Sequence, residues 1–162
     1  MSARRATLAD VDALVRLRAQ MFLDMGAPPG DEDAPWRVHA AEWFTAQLAG
    51  QQCGVLVVDD PELGVVSAAV GTYADGAPSP GNPTGRSGHL FNVSTDPRRR
   101  RRGHARACVA ALLDWFDHND VTVVELAATD DGADLYTSLG FTPARFPVLR
   151  RRRPTGRPGS AG

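Results

Sequence analysis

Five consecutive arginines, Arg98 to Arg102, stand directly before Gly103, His104, Ala105 and Arg106. A β-type run, Gly88 to Ser94, leads into them through Pro97, and an amphipathic helical run leaves them. A strand, a basic glycine-containing turn and a helix start together make a place to hold a phosphate. The first backbone N–H groups of a helix have no intrahelical partner, and the helix dipole favours negative charge there. Gly103 lets the backbone approach an anion closely, and the small Ala105 leaves the next turn uncrowded. Arginine side chains add charge-assisted hydrogen bonds. The chemistry this stretch points to is the binding of a phosphate-bearing ligand.

Other reactive side chains are scattered. Tyr136 falls near the start of a short helical segment, where a phenol serves either as an acid or as a half-buried packing group. Glu125 ends a β-type run and reads as a base or as a solvated strand carboxylate. Asn92, on the strand before the arginines, is either an acceptor-orienting group or a satisfied core amide. His39, His89, His104 and His118 form no pair with metal-ligand spacing. In the arginine turn, the main chain of His104 carries more weight than its ring. No Gly-x-Ser-x-Gly nucleophile motif occurs. Trp36, Trp43 and Phe44 recur at helical spacing, which favours the core over a pocket lining.

The elements that must position these residues follow from periodicity. Ala3 to Thr7 is a short strand. Asp10 opens a helix that ends near Gly26, before the break Pro28-Pro29-Gly30. Pro35 starts a second helix that Gly50 closes. Cys53 to Val58 and Val65 to Tyr73 form a hairpin about the turn at Asp59 to Gly64. Ala74 to Ser87 is a Gly/Pro-rich loop. His89 to Thr95 is a strand, and Gly103 to His118 is a helix with Ala105, Cys108, Val109, Leu112, Leu113 and Phe116 on one face. Val121 to Ala128 is a strand. A short helix capped by Asp130 or Asp131 ends at Gly140, and Phe141 to Arg151 contains a last, less regular strand. The order β-α-α-β-β-β-α-β-α-β predicts an α/β (α+β) mixed sheet with helices on its faces. Its β-α-β unit has parallel strands. Residues 1–153 read as one domain and residues 154–162 as a flexible tail.

Composition narrows the function classes. The chain has 162 residues and a formal net charge of −1, from 18 basic and 19 acidic side chains. All the basic residues are arginine, which removes any lysine-nucleophile or Schiff-base mechanism. The near balance argues against a nucleic-acid-coating protein. The second arginine cluster, at 150 to 153, leaves a basic-patch module for RNA or another polyanion as an alternative. Cys53 and Cys108 read as reduced core thiols. No apolar run approaches the roughly 20 residues of a membrane helix. The N-terminus lacks the apolar core of a signal peptide. The expectation is a soluble cytoplasmic protein with no metal, no membrane and no nucleic-acid partner.

Arg100 to Ala105 also resembles the signature of the GNAT acetyltransferase superfamily: Gln or Arg, two residues, Gly, one residue, then Gly or Ala. Here Arg100, Gly103 and Ala105 fill its fixed positions. Pro97 lies between strand and turn, and Leu135-Tyr136-Thr137-Ser138-Leu139-Gly140-Phe141 follows some thirty residues on, similar to the family's second half. The close resemblance runs from about Gly88 to Pro143, while the first 75 residues agree in element order.

The resemblance implies an acetyl-CoA-dependent N-acetyltransferase acting directly on a primary amine of a small molecule or peptide. Arg100, Arg101, Arg102, Gly103, His104, Ala105 and Arg106 would hold the pyrophosphate. The backbone of Val93 and Thr95 would pair with the pantetheine arm, and an N–H near Val93 would polarise the thioester carbonyl. Tyr136 would be the general acid and Glu125 a candidate base. Asn92, Phe22 and Met25 would face the acceptor. Asp24, Glu42 and Asp31 to Asp33 either favour a cationic amine or belong to a solvated surface. Arg98 and Arg99 would serve the adenosine phosphate or face water. Many members are dimers, so a homodimer is compatible with the resemblance. A member without catalysis would bind acyl-CoA alone.

Overall fold

Valine-rich segments buried on both faces build the centre of the molecule, and a computed structural model describes residues 2–154. β1 (Arg4–Arg5), β2 (Cys53–Asp60), β3 (Gly64–Asp75), β4 (Arg86–Thr95) and β5 (Val123–Glu125) form one sheet in sequence order. The first three pairings are antiparallel, and β4 with β5 is parallel. α1 (Val11–Asp24) and α2 (Pro35–Ala49) cover one face, α3 (His104–His118) covers the other, and α4 (Ala133–Ser138) follows β5. This is the expected α/β mixed sheet.

Two hydrophobic layers hold it. Val55, Val57, Val65, Ala68 and Val70 pack with Leu14, Leu17 and Phe44 on the α1/α2 face. Leu56, Val58, Val66, Ala69 and Leu90 pack with Cys108, Val109, Leu112 and Phe116 on the α3 face. Period-2 alternation along β2 and β3 meets the helical stripe of α3. Each fully buried Leu, Val or Phe contributes roughly 1.5–3 kcal/mol. Phe116 packs closely on the sheet because glycines face it. A Cβ at Gly71 would sit 2.6 Å from Phe116 Cζ, and one at Gly88 would sit 2.8 Å from Phe116 Cε1.

Several expectations are corrected. The last strand within Phe141 to Arg151 does not form, so the final β of the expected order is absent among the described residues. Pro143 and Pro147 each remove a ladder donor there, and Phe146, Val148 and Leu149 are 73, 82 and 90 % exposed. The first strand shrinks to two residues, and the strand placed at Val121 to Ala128 shrinks to three. The short helix begins after a 3-10 turn at Asp130–Gly132, and no side chain caps it. The loop after β3 shortens to 76–85 and is pinned. Thr84 Oγ1 donates to the carbonyl of Asp120 at 2.9 Å, and Asn82 Nδ2 donates to that of Arg86 at 3.0 Å. The expected tail at 154–162 lies outside the described residues except for Pro154.

Candidate active site

The parallel pairing of β4 with β5 sets up the site by stopping early. Its register runs Ser87↔Val123, Gly88↔Val124 and His89↔Glu125, and then the strands part. Leu90 to Thr95 thus continue along β4 with no strand on that side. β4 also carries one extra residue against β3, since Ala68 faces Ser94 while Val70 faces Phe91. Asn92 sits in this bulge at φ 54°. Bulges re-aim side chains and recur beside active sites.

A cleft of about 1070 Å³ occupies the gap. Its floor is His89 to Thr95. One wall is Arg18, Met21, Asp24 and Met25 of α1, and the other includes Ala127, Gly132, Leu135 and Tyr136. The turn with Arg100, Arg101, Gly103, His104, Ala105 and Arg106 closes one end. Three buried side-chain polar atoms have no partner among the described residues: Asn92 Nδ2, Ser94 Oγ and His104 Nδ1. All three belong to residues lining this cleft. Buried polar groups in native proteins are normally paired, so a ligand is the natural partner for such a set.

The turn is built to present N–H groups. Asp96, 4 % exposed, fixes its start. Asp96 Oδ1 accepts from the backbone N–H of Arg98 at 3.0 Å, and Oδ2 accepts from Arg98 Nη2 at 2.8 Å and Arg16 Nη1 at 3.3 Å. The Arg98 guanidinium holds this carboxyl well below the usual carboxylate range. Arg99 Nε donates to Asp60 Oδ2 at 2.6 Å, and Nη2 donates to Glu62 at 2.7 Å. The Asp60 carboxyl is lowered to about 2, chiefly by that Arg99 bond. Arg98 and Arg99 are therefore struts of the turn, each engaged by a carboxylate. Beyond them, Arg101 at φ 60° and Gly103 at φ 80° bend the chain into a concave array ahead of α3. A left-handed non-glycine residue costs roughly 1–2 kcal/mol, and such strain gathers at ligand sites.

Not every candidate residue enters the cleft. Val93, Thr95, Arg100, Arg101, Gly103, His104, Ala105, Arg106, Asn92, Met25 and Tyr136 line it. Arg102 and Phe22 do not. Phe22 packs edge-on against Trp36 at 5.6 Å and supports Arg18, whose guanidinium lies 5.1 Å above its ring. Glu125 is exposed and outside the lining. Asp24 is occupied by Arg100, and Glu42 lies by His39 on the exposed face of α2. Trp36, Trp43 and Phe44 pack in or beside the α1/α2 core. Burial raises the Tyr136 phenol, which favours its protonated form. His104, 8 % exposed, buries its ring as well as presenting its main chain. No group of three metal-ligating side chains exists among the described residues.

Two lining residues escaped the sequence reading. His89 stacks on Phe91 at 5.4 Å, and alternation turns it and Glu125 to the face opposite Gly88 and Val124, which look toward α3. Arg18 interrupts the apolar stripe of Leu14, Met21 and Met25 on α1. A cation in such a stripe was the available signal.

The profile of the Acetyltransferase (GNAT) family matches residues 14–141. The chain belongs to this family. No curated protein sequence matches it. Among solved structures, it is similar to a predicted acetyltransferase with acetyl-CoA from Clostridium acetobutylicum. That match has 21 % identity and a TM-score of 0.79, covering 93 % of this chain and 95 % of that one. A GCN5-related N-acetyltransferase from Ralstonia eutropha matches at 21 % identity and TM-score 0.74, covering 93 and 97 %. Glucosamine-6-phosphate N-acetyltransferase from Arabidopsis thaliana matches at 14 % identity and TM-score 0.71, also covering 93 and 97 %. At these identities the shared property is the fold. This GNAT chain has no helix among its described residues long and apolar enough to cross a membrane.

Proposed function

We propose that this GNAT protein transfers an acetyl group from acetyl-CoA directly to a primary amine of a small molecule or peptide, in the cytoplasm. The observation that carries the reading is the parting of β4 and β5 after His89↔Glu125. It exposes backbone groups of β4 opposite the N-terminus of α3. An extended pantetheine arm fits the open edge by strand addition, and a pyrophosphate fits the helix start. The donor set suits the group: unpaired N–H groups at Gly103 to Arg106, arginine side chains, and the orphaned atoms of Ser94 and His104.

Acetyl-CoA supplies the acyl group as a thioester with a thiolate leaving group. The backbone of Val93 and Thr95 positions the arm, and an N–H near Val93 offers the carbonyl oxygen a hydrogen bond that strengthens as charge develops. Arg101, Gly103, His104, Ala105 and Arg106 hold the pyrophosphate, with Arg100 joining when it leaves Asp24; Arg102, outside the lining, does not take part. Tyr136, kept protonated by burial, gives its proton to the departing sulfur. The amine approaches between Asn92 and Met25 and loses its proton toward His89. Glu125 stands in register with His89 on the next strand but outside the cleft lining, so His89 takes the place of direct base. Residues 1–153 act as one catalytic domain, and a homodimer is compatible with this site.

The polyanion-binding alternative loses its footing, because Arg98, Arg99 and Arg100 of the five-arginine run are engaged by carboxylates. Calorimetric titration of acetyl-CoA into wild type and Gly103→Glu tests the donor site. Binding by wild type and loss in the variant is expected; no binding by wild type overturns the proposal. Amine-dependent CoA release separates an active enzyme from a member that only binds acyl-CoA.

A further inference from the structure

Arg18 and Asn92 form a donor-only corner on the acceptor wall of the cleft. Arg18 Nη1 donates to Asn92 Oδ1 at 3.1 Å. Because a guanidinium has no acceptor, this bond fixes the amide: its oxygen faces Arg18, and Nδ2 is the free end. Asn92 is 3 % exposed, and that Nδ2 has no partner. Its orientation is locked by the left-handed backbone of the bulge. On the other side, no carboxylate among the described residues pairs with Arg18. Asp24, the acidic side chain of α1 that lines the same cleft wall, is taken by Arg100 and Gln20. The Phe22 ring covers one face of the guanidinium at 5.1 Å, which leaves its in-plane edge for hydrogen bonding.

A half-buried cation without a counter-charge is costly, and burial alone pulls Arg18 below its ordinary range. The corner holds one positive charge, a planar fork and a neighbouring amide N–H, and offers no free acceptor. The complement of that set is a single planar anion with two oxygens. A phosphate dianion would leave charge uncompensated beside one arginine.

Resting on the acetyltransferase reading, we infer that the acceptor carries a carboxylate that docks on Arg18 and the Asn92 Nδ2, so the substrate class is amino-carboxylates. Arg18 is then a specificity-determining residue, and Asn92 both positions its guanidinium and donates to the ligand. The acceptor amine, held on the same molecule, lies on the β4 floor where the sheet parts.

The test is a set of α-amino acids, each paired with its carboxamide, with ethanolamine and O-phosphoethanolamine as a phosphate pair. Acetyl-CoA-dependent CoA release is measured for wild type, Arg18→Gln and Arg18→Lys, with acetyl-CoA affinity titrated in each. In wild type the best acid exceeds its amide by about 10- to 100-fold in kcat/KM, mostly through KM, as expected for charged hydrogen bonds. Arg18→Gln brings that ratio within about threefold of unity while acetyl-CoA still binds, and Arg18→Lys recovers part of it because charge without the fork remains. Equal use of acid and amide, a ratio that survives in Arg18→Gln, or a preference confined to the phosphate pair overturns the inference. So does acetyl-CoA binding with no pair acetylated. Failure of wild type to bind acetyl-CoA strikes the donor reading instead.

Discussion

Arg100 Nη2 donates to both carboxylate oxygens of Asp24, at 2.7 and 2.6 Å, across 76 positions of sequence. The bond spans the mouth of the cleft, from the end of α1 to the turn before α3. Arg100 fills the first position of the family signature, so the same guanidinium has two claimants. Both partners are roughly 40 % exposed, at 43 and 38 %. Such pairs are worth about 0.2–1 kcal/mol. Asp24→Asn frees Arg100 and should tighten acetyl-CoA binding about two- to fivefold by calorimetry, in keeping with that range. Unchanged or weaker affinity would show that Arg100 does not serve the phosphates.

Gly103 separates conformational cost from electrostatic cost. Its φ is 80°, and an added Cβ would meet nothing within 4 Å. Gly103→Ala should therefore fold, lose roughly 1–2 kcal/mol for a left-handed residue, and still bind acetyl-CoA. Gly103→Glu has the same backbone cost but sets a carboxylate where the proposed pyrophosphate would sit. Urea unfolding should rank the two variants together, while calorimetry should show binding only for the alanine. Equal loss of binding in both would shift the explanation from charge to backbone geometry.

The contrast between what could and could not be read from sequence follows from range. The α3 stripe, the Gly103 turn and the hairpin are local patterns, and each stands where its periodicity put it. Asp96 and Asp60 were missed as partners of Arg98 and Arg99, because pairing of a charge run depends on which strands meet beside it. The Arg18–Asn92 bond joins residues 74 positions apart through a bulge that leaves no composition signal. The segment Phe141 to Arg151 failed for the opposite reason. Its apolar residues suggested a strand, but a strand needs a neighbouring edge, and β5 is only three residues long.

Tyr136 supplies a kinetic prediction. Burial raises its pKa, so the phenol keeps its proton beyond the ordinary tyrosine range. An acid role then predicts no loss of rate from this group until the pH is well into the alkaline region. Tyr136→Phe should lower kcat about 100-fold, the usual scale for a positioned acid, and leave the Kd for acetyl-CoA unchanged. Pre-steady-state acetyl transfer measures the chemical step directly. Full activity in the phenylalanine variant would remove Tyr136 from the mechanism.

The turn should also carry an acid-sensitive share of stability. Asp60 is lowered to about 2 by Arg99, and Asp96 is lowered further by Arg98. Depressed carboxylate pKa values stabilise the folded state above the unfolded value, near 4. That contribution is lost as pH falls from about 4 through the folded values. Thermal unfolding midpoints should hold steady from pH 7 to about 5 and drop steeply below about 4. Asp60→Asn should flatten part of that drop while lowering the midpoint at neutral pH. A variant with the wild-type acid slope would place the acid-sensitive groups elsewhere.

Both cysteines should be silent in the native protein. Cys53 lies in the α1/α2 core and Cys108 in the α3 core behind the phosphate turn. Burial pushes each thiol up to about 11. At pH 8 the thiolate fraction is then on the order of one in a thousand, and a reagent must also reach it. A disulfide reagent should consume no protein thiol on the timescale of turnover and two after denaturation. Labelling, when it comes, should follow the rate at which the layers open. If acetyl-CoA protects Cys108 more than Cys53, the ligand is tied to the α3 side of the sheet, as a phosphate seated on the first turn of α3 requires. Equal protection of both thiols would mean that binding stabilises the whole fold without favouring that helix.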